Sequence, residues 1–169
     1  IRVGVAPDSV IWTGGAFTAQ ASDTLRDAFS NLVSGRPSSF ASSDASVASI
    51  DALTGLVTVV GFGTANLTAN AEGVTSPGRA FRVLQPVNSV QLTSAGDSVV
   101  AGATLPTTVT LKDVGGVTLT GRPVTYTTSD QTVATISASG VITGVATGTV
   151  TLHAIAEGVT DPGLVIRVL

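Results

Sequence analysis

The sequence predicts an all-β chain with two β-sandwich units in tandem, and three observations carry this prediction. First, the stretch from Gly121 to Leu169 occurs twice: its other copy, from Gly35 to Leu84, has one inserted residue near Leu53, and about half of the aligned positions are identical. Second, Thr, Ser, Val, Ala and Gly dominate the composition, which suits strands and tight turns better than helices. Third, Gly, Pro, Asp and Ser separate short segments of alternating polarity.

The repeat divides the 169 residues into two units, residues 1–84 and 87–169, joined by the short linker Gln85-Pro86. Each unit is large enough to bury a core without disulfides, and the chain has no cysteine. A two-residue connection that contains proline cannot act as a loose tether, so we expect two sandwiches standing end to end with restricted bending. We also expect the natural chain to extend upstream of Ile1, and either to continue after Leu169 into further units or to meet another subunit at that end.

Charge and hydropathy exclude two classes of protein. The net charge is −3 and no basic cluster exists, which argues against a nucleic-acid partner, because such a protein needs a Lys/Arg face to neutralise phosphates. Apolar residues make up 43% of the chain, yet no run approaches the roughly twenty residues of a membrane span. The apolar content is therefore distributed through short strands, with no membrane span in this segment.

The first half of each unit begins with two predicted strands. The opening strands are residues 1–5 and 87–93, and the next are residues 17–25 and 105–111. Asp27 and Asp113 follow the second strand of their units, and we expect their side chains to cap the turns that begin there.

The repeated half supplies the remaining strands. Val124–Thr128, Val133–Ile136 and Val141–Thr143 are short and punctuated by turn residues. The longest alternation places one set of apolar residues inward, namely Val150, Leu152, Ala154 and Ala156, which recurs as Ala65, Leu67, Ala69 and Ala71. The closing strand places Ile166 and Val168 inward and Arg167 outward, with counterparts Phe81, Val83 and Arg82. Seven or so short strands that each bury one face predict two sheets packed face to face.

These motifs resemble the bacterial immunoglobulin-like domain, group 2. The resemblance is carried by V-T-Y-T-T-S-D-x-x-V-A-T-I, then S-G-V-I-T-G-V, then G-T-V-T-L-x-A, and both units match it over essentially the whole chain. The family commonly has a tryptophan where this sequence has Phe40 and Tyr126, so the central core aromatic is smaller here. The resemblance implies two immunoglobulin-like β-sandwich domains, of the kind found in tandem on bacterial surface proteins, adhesins, secreted enzymes and phage virion proteins. It implies no reaction.

No residue set predicts a catalytic, cofactor-binding or metal-binding site. His153 is the one histidine, it lies on an outward strand face, and Thr68 replaces it in the first unit. Asp44 and Asp130 begin matching turns, and Asx-turn capping explains them better than calcium does, because no D-x-D-x-D-G series is present. The turn Gly61-Phe62-Gly63 joins strand to strand, so no helix N-terminus follows it to hold a phosphate.

Three aromatic residues have no aromatic counterpart in the other unit. Trp12 corresponds to Ala101, Phe29 to Gly115 and Phe62 to Thr147. Trp12 either anchors a contact between domains or subunits, or packs locally in the first unit. We expect Trp12, Phe29 and Phe62 to form an apolar association patch if all three are exposed together.

The sequence thus predicts a non-catalytic extracellular structural or adhesive module of a bacterial surface protein. Self-assembly into a filament or sheath is the variant favoured by low charge, high apolar content and the unmatched aromatics. Its partners are then further copies of itself or neighbouring immunoglobulin-like domains. The alternative is a module that binds a glycan or a host surface protein, within an adhesin, a secreted enzyme or a phage virion protein.

Overall fold

The computed structural model describes all 169 residues, and its regular structure consists of strands alone. The chain divides into two compact units, Ile1–Gln85 and Pro86–Leu169. No helix of the length and apolarity needed to cross a membrane is present. The predicted all-β class is confirmed.

The first unit contains nine strands in two sheets. They are β1 Arg2–Ala6, β2 Ser9–Ile11, β3 Thr18–Thr24, β4 Ser39–Ser42, β5 Ala48–Ile50, β6 Leu56–Val59, β7 Gly63–Ala71, β8 Val74–Thr75 and β9 Arg79–Leu84. One sheet has the order β1-β3-β6-β5 and the other β2-β9-β7-β4, with β8 paired to β7 as a short hairpin.

The second unit repeats this topology with ten strands. They are β10 Ser89–Ser94, β11 Ser98–Val99, β12 Thr104–Lys112, β13 Thr118–Leu119, β14 Thr125–Thr128, β15 Ala134–Ile136, β16 Val141–Gly144, β17 Gly148–Ala156, β18 Val159–Thr160 and β19 Leu164–Val168. The sheets are β10-β12-β16-β15, with β13 paired to β12, and β11-β19-β17-β14, with β18 paired to β17.

Each unit has its own apolar core between its two sheets. The four predicted inward residues of β17 are at most 1% exposed, and those of β7 are also buried. Phe81 and Ile166, at matching places in the last strands, are fully buried, as the alternation predicts. Because both sheets contribute residues to one cluster in each unit, the face-to-face sandwich is confirmed.

The structure contains more strands than the alternation predicts, because several are too short to show a period. The largest difference is that the chain crosses from one sheet to the other soon after β1. Residues Ser9–Ile11 of β2 pair in parallel with Arg82–Leu84 of β9, and β11 pairs in the same way with β19. The second and last strands of each unit therefore lie side by side, a contact that period-2 alternation does not encode.

Candidate interaction surfaces

Trp12 and Phe62 form an aromatic pair at one end of the first unit. Trp12 follows β2, and its backbone N–H donates to the carbonyl of Leu84 at 3.0 Å. The indole Nε1–H donates to the carbonyl of Gly15 at 2.8 Å, which holds the ring in place. The rings of Trp12 and Phe62 meet edge to face with centroids 5.3 Å apart, a favourable geometry for two aromatic quadrupoles.

Phe62 is the exposed member of this pair, whereas Trp12 is partly buried. Trp12 packs against the core of its own unit, in line with the local-packing alternative. Phe62 remains 45% exposed, and its sequence neighbour Val60 and the Trp12 neighbour Ile11 are similarly exposed. We call the Trp12–Phe62 pair the aromatic corner. It places apolar surface in contact with solvent at a position where the second unit has Ala101 and Thr147.

Phe29 lies away from the aromatic corner, so the three unmatched aromatics do not form one patch. It is 85% exposed in the loop after β3, whereas Trp12 lies in the segment before β3. The seven residues of β3 span roughly 20 Å at the usual rise per residue, which separates the two ends of the sandwich. The expectation of a combined patch is therefore not met, although each site is exposed separately.

Aspartates hold the turns, as the sequence predicts. Asp27 Oδ1 accepts the backbone N–H groups of Phe29 and Asn31, each at 2.9 Å, and Asp113 Oδ1 accepts that of Val117 at 2.8 Å. Hydrogen bonds lower the pKa of Asp27, and the largest effect comes from the bond with the Asn31 side chain. These carboxylates accept hydrogen bonds from backbone N–H groups of their own turns, as in an Asx turn.

The other turn aspartates are used in the same way. Asp130 accepts the hydroxyl of Thr132 at 2.6 Å and its backbone N–H at 2.8 Å, and these bonds lower the pKa of Asp130 in that order. The pKa values of Asp44 and Asp51 are lowered by equivalent local bonds, led by the Ser46 hydroxyl and the Thr54 backbone N–H respectively. No group of three or more His, Cys, Asp or Glu side chains is placed to hold a metal ion.

His153 lies beside a buried carboxylate that the sequence analysis missed. Its Nδ1 is 3.3 Å from the Asp161 carbonyl oxygen and 3.4 Å from Asp161 Oδ1. The Asp161 side chain is only 2% exposed, and it accepts the backbone N–H groups of Ala154 at 2.8 Å and Gly163 at 3.0 Å. Asp161 therefore links the segment that follows β18 to β17 through a side-chain hydrogen bond.

The first unit makes the equivalent hydrogen bond with an uncharged residue. Ser76 replaces Asp161, its Oγ accepts the N–H of Ala69 at 3.0 Å, and Thr68 stands in the place of His153. The difference between Ser76 and Asp161 in the two copies was the sequence signal for this residue. Both units therefore share a side-chain hydrogen bond to the long strand at this position, and only the second unit adds the His153–Asp161 contact.

A second, polar surface lies along β2 and β9 of the first unit. A shallow groove of about 170 Å³ is lined by Asp8, Ser9, Arg79, Ala80 and Arg82. Arg79 pairs with Asp8 at 2.8 Å, while Arg82 extends outward from the sheet. This arrangement offers guanidinium donors and a hydroxyl to solvent, which suits hydrogen bonding to an anionic or hydroxylated ligand.

Two family models match the chain. Residues 86–162 match "Bacterial Ig-like domain (group 2)", and residues 27–72 match "Intimin, immunoglobulin-like domain". A search of curated protein sequences found no match.

Solved structures of similar fold come from bacterial surface proteins. The FdeC adhesin of Escherichia coli is 20% identical over 99% of this chain and 63% of its own, with a TM-score of 0.55. The S-layer protein SbsC is 26% identical over 90% of this chain and 23% of its own, with a TM-score of 0.46. The adhesin InvE of Yersinia pseudotuberculosis is 19% identical over 99% of this chain and 58% of its own, with a TM-score of 0.46. The chain spans less than two thirds of the length of these three structures.

Proposed function

Since the chain consists of bacterial immunoglobulin-like domains in tandem, we propose that it is a non-catalytic structural and adhesive module of a bacterial surface protein, located outside the cell. The FdeC adhesin provides a precedent for this fold in that setting. Two copies of one scaffold share their cores, their turns and several charged positions, such as Arg82 and Arg167, whereas exposed apolar residues such as Phe29 and Phe62 differ between them. A module whose copies differ mainly in exposed residues is better suited to a structural or adhesive role than to catalysis.

The observation that carries the assembly variant is the aromatic corner. The exposed part of the Phe62 ring, 45% of the residue, costs free energy in water, and burying it against another molecule recovers that cost. We therefore expect further copies of the chain, or neighbouring immunoglobulin-like domains, to cover it. Repeated association of this kind would build a filament or sheath. Phe29 is a second, separate contact candidate.

The assembly variant is tested by light scattering after size exclusion at rising concentration, together with electron microscopy. We expect Phe62→Ser to reduce association, and Phe29→Ser to do so only if the second contact is used. Val114→Ser is the matched control, because Val114 is as exposed as Phe29 but lies in the other unit. A chain that stays monomeric at high concentration and forms no filaments would rule out assembly.

The second candidate is recognition of a glycan or a host surface protein, as a module of an adhesin, a secreted enzyme or a phage virion protein. The groove of Asp8, Ser9, Arg79 and Arg82 favours it, because arginine donors suit carboxylate or hydroxyl acceptors. A glycan array and a pull-down with host surface protein test it. Arg82→Ala should abolish binding, and Arg2→Ala, an exposed arginine outside the groove, should not. Blank results in both assays would count against this candidate.

A further inference from the structure

The edge strand β14 of the second unit carries backbone groups that point away from its sheet. It ends the order β11-β19-β17-β14, so only one of its sides is paired. Tyr126 lies opposite Ala154, whose N–H donates to Asp161 Oδ1 and whose carbonyl accepts the N–H of Asp161. Since Ala154 bonds on its other side, and bonding alternates along an antiparallel ladder, the N–H and C=O groups of Tyr126 and Thr128 point outward from the edge.

The first unit closes part of the equivalent edge with its own turn. Phe40 of β4 stands at the place of Tyr126, and its N–H donates to the carbonyl of Ala52 at 2.9 Å. Ala52 belongs to the turn between β5 and β6, which contains the inserted residue near Leu53. The turn at residues 137–140 of the second unit is one residue shorter and makes no bond to the N–H of Tyr126. The edge of β14 is therefore open where that of β4 is capped.

The open edge of β14 is complementary to itself. When two such strands run antiparallel with Thr127 opposite Thr127, Tyr126 of each copy lies opposite Thr128 of the other, and each of these pairs exchanges both N–H···O bonds. Strand edges that avoid such pairing carry charged residues, prolines or bulges, whereas the sequence TYTT of β14 has neither charge nor proline. No like charges therefore meet across the contact.

We infer that β14 is a pairing surface for a second copy of this chain, with a two-fold axis at Thr127 and one sheet continuing from copy to copy. A second copy fits this edge because each strand supplies the donors and acceptors that the other lacks, and because the exposed Thr127 side chains meet as a cross-strand threonine pair. The contact involves few residues, so the dimer is reversible and depends on concentration.

A single cysteine reports this pairing, because the chain has none of its own. In a pair that is not hydrogen-bonded, the Cα atoms lie about 4.5 Å apart, which is within the range that a disulfide spans. Under mild oxidation, we expect Thr127→Cys to give a covalent dimer at least about tenfold faster than the matched control Ala41→Cys, since pairing raises the local thiol concentration. Ala41 is the exposed residue at the same place in β4. Equal rates on non-reducing electrophoresis would overturn the inference.

A turn replacement tests whether the open edge is the cause. Exchanging residues 137–140 for Asp-Ala-Leu-Thr-Gly, the turn sequence of the first unit at residues 51–55, should supply a carbonyl to the N–H of Tyr126. In the Thr127→Cys chain, we expect this exchange to slow covalent dimer formation by about tenfold, the scale of losing one hydrogen bond from each copy. Circular dichroism checks that the variant is folded. An unchanged rate in a folded variant would contradict the inference.

Thr127→Lys separates this inference from the proposed function. It places two like charges opposite each other, so we expect the dissociation constant of the dimer to rise by about fivefold or more in sedimentation equilibrium. A two-fold contact closes on itself, so a dimer without filaments supports the pairing of β14 and counts against the assembly variant. Association that is lost in Phe62→Ser and unchanged in Thr127→Lys supports the assembly variant and overturns the pairing of β14.

Discussion

Replacing Asp161 is expected to weaken the second unit because the residue satisfies two backbone donors that have no other partner. Asp161→Ala leaves the N–H groups of Ala154 and Gly163 without an acceptor, and Ala154 is fully buried. A buried donor left unpaired costs about 1–3 kcal/mol, and Gly163 is only partly buried, so we expect a loss of about 2–4 kcal/mol.

The first unit supplies the matched control for this experiment. Asp161→Ser recreates the arrangement of Ser76, whose hydroxyl accepts the N–H of Ala69, so it should recover the bond to Ala154 and lose only about half as much stability. Hydrogen exchange at the Ala154 amide and urea unfolding followed by circular dichroism measure the second unit. The fluorescence of Trp12 reports the first unit and should not change. If the alanine and serine variants lose the same stability, the account of Asp161 as a backbone acceptor is refuted.

Three further predictions concern the core, the turns and the stability of the protein at low pH. Leu152→Ala removes a fully buried side chain and should cost about 2–5 kcal/mol in urea unfolding. Gly140→Ala places a Cβ 2.9 Å from the Tyr126 hydroxyl at a φ of +76°, so it should lower the melting temperature more than Gly158→Ala, whose φ is +84° and whose Cβ would meet nothing within 4 Å. The lowered pKa of Asp130 means that its contribution to stability is complete above the unfolded value of 3.8 and is lost as the pH falls through the lower folded value. Asp130→Ala should therefore flatten the loss of stability below about pH 4 in acid titration, and an unchanged profile would contradict this.

The fold was largely predictable from the sequence because burial follows a period of two in the long strands. The inward residues of β17 and β7 are the residues that the alternation selects, and the Asx turns at Asp27 and Asp113 follow from local side-chain chemistry. Such features depend on residues close together in the chain.

The parts that the sequence did not reveal depend on contacts between distant residues. The parallel pairing of β2 with β9 joins residues about seventy positions apart, and no local pattern records it. Asp161 resembles any polar turn residue until the structure shows it buried against β17. Likewise, the sequence identified Trp12, Phe29 and Phe62 as unmatched, but only the topology shows that Phe29 lies at the opposite end of the unit from the other two.

The parallel pairing of the second strand of each unit with its last strand has a mechanical consequence. Tension along the chain pulls β2 and β9 in opposite directions, and likewise β11 and β19, so the force acts along the strands rather than across them. The hydrogen bonds between them, such as Trp12 to Leu84 in one unit and Ala101 to Leu169 in the other, then carry the load together instead of opening one at a time. Each unit is thereby arranged to resist stretching along the chain.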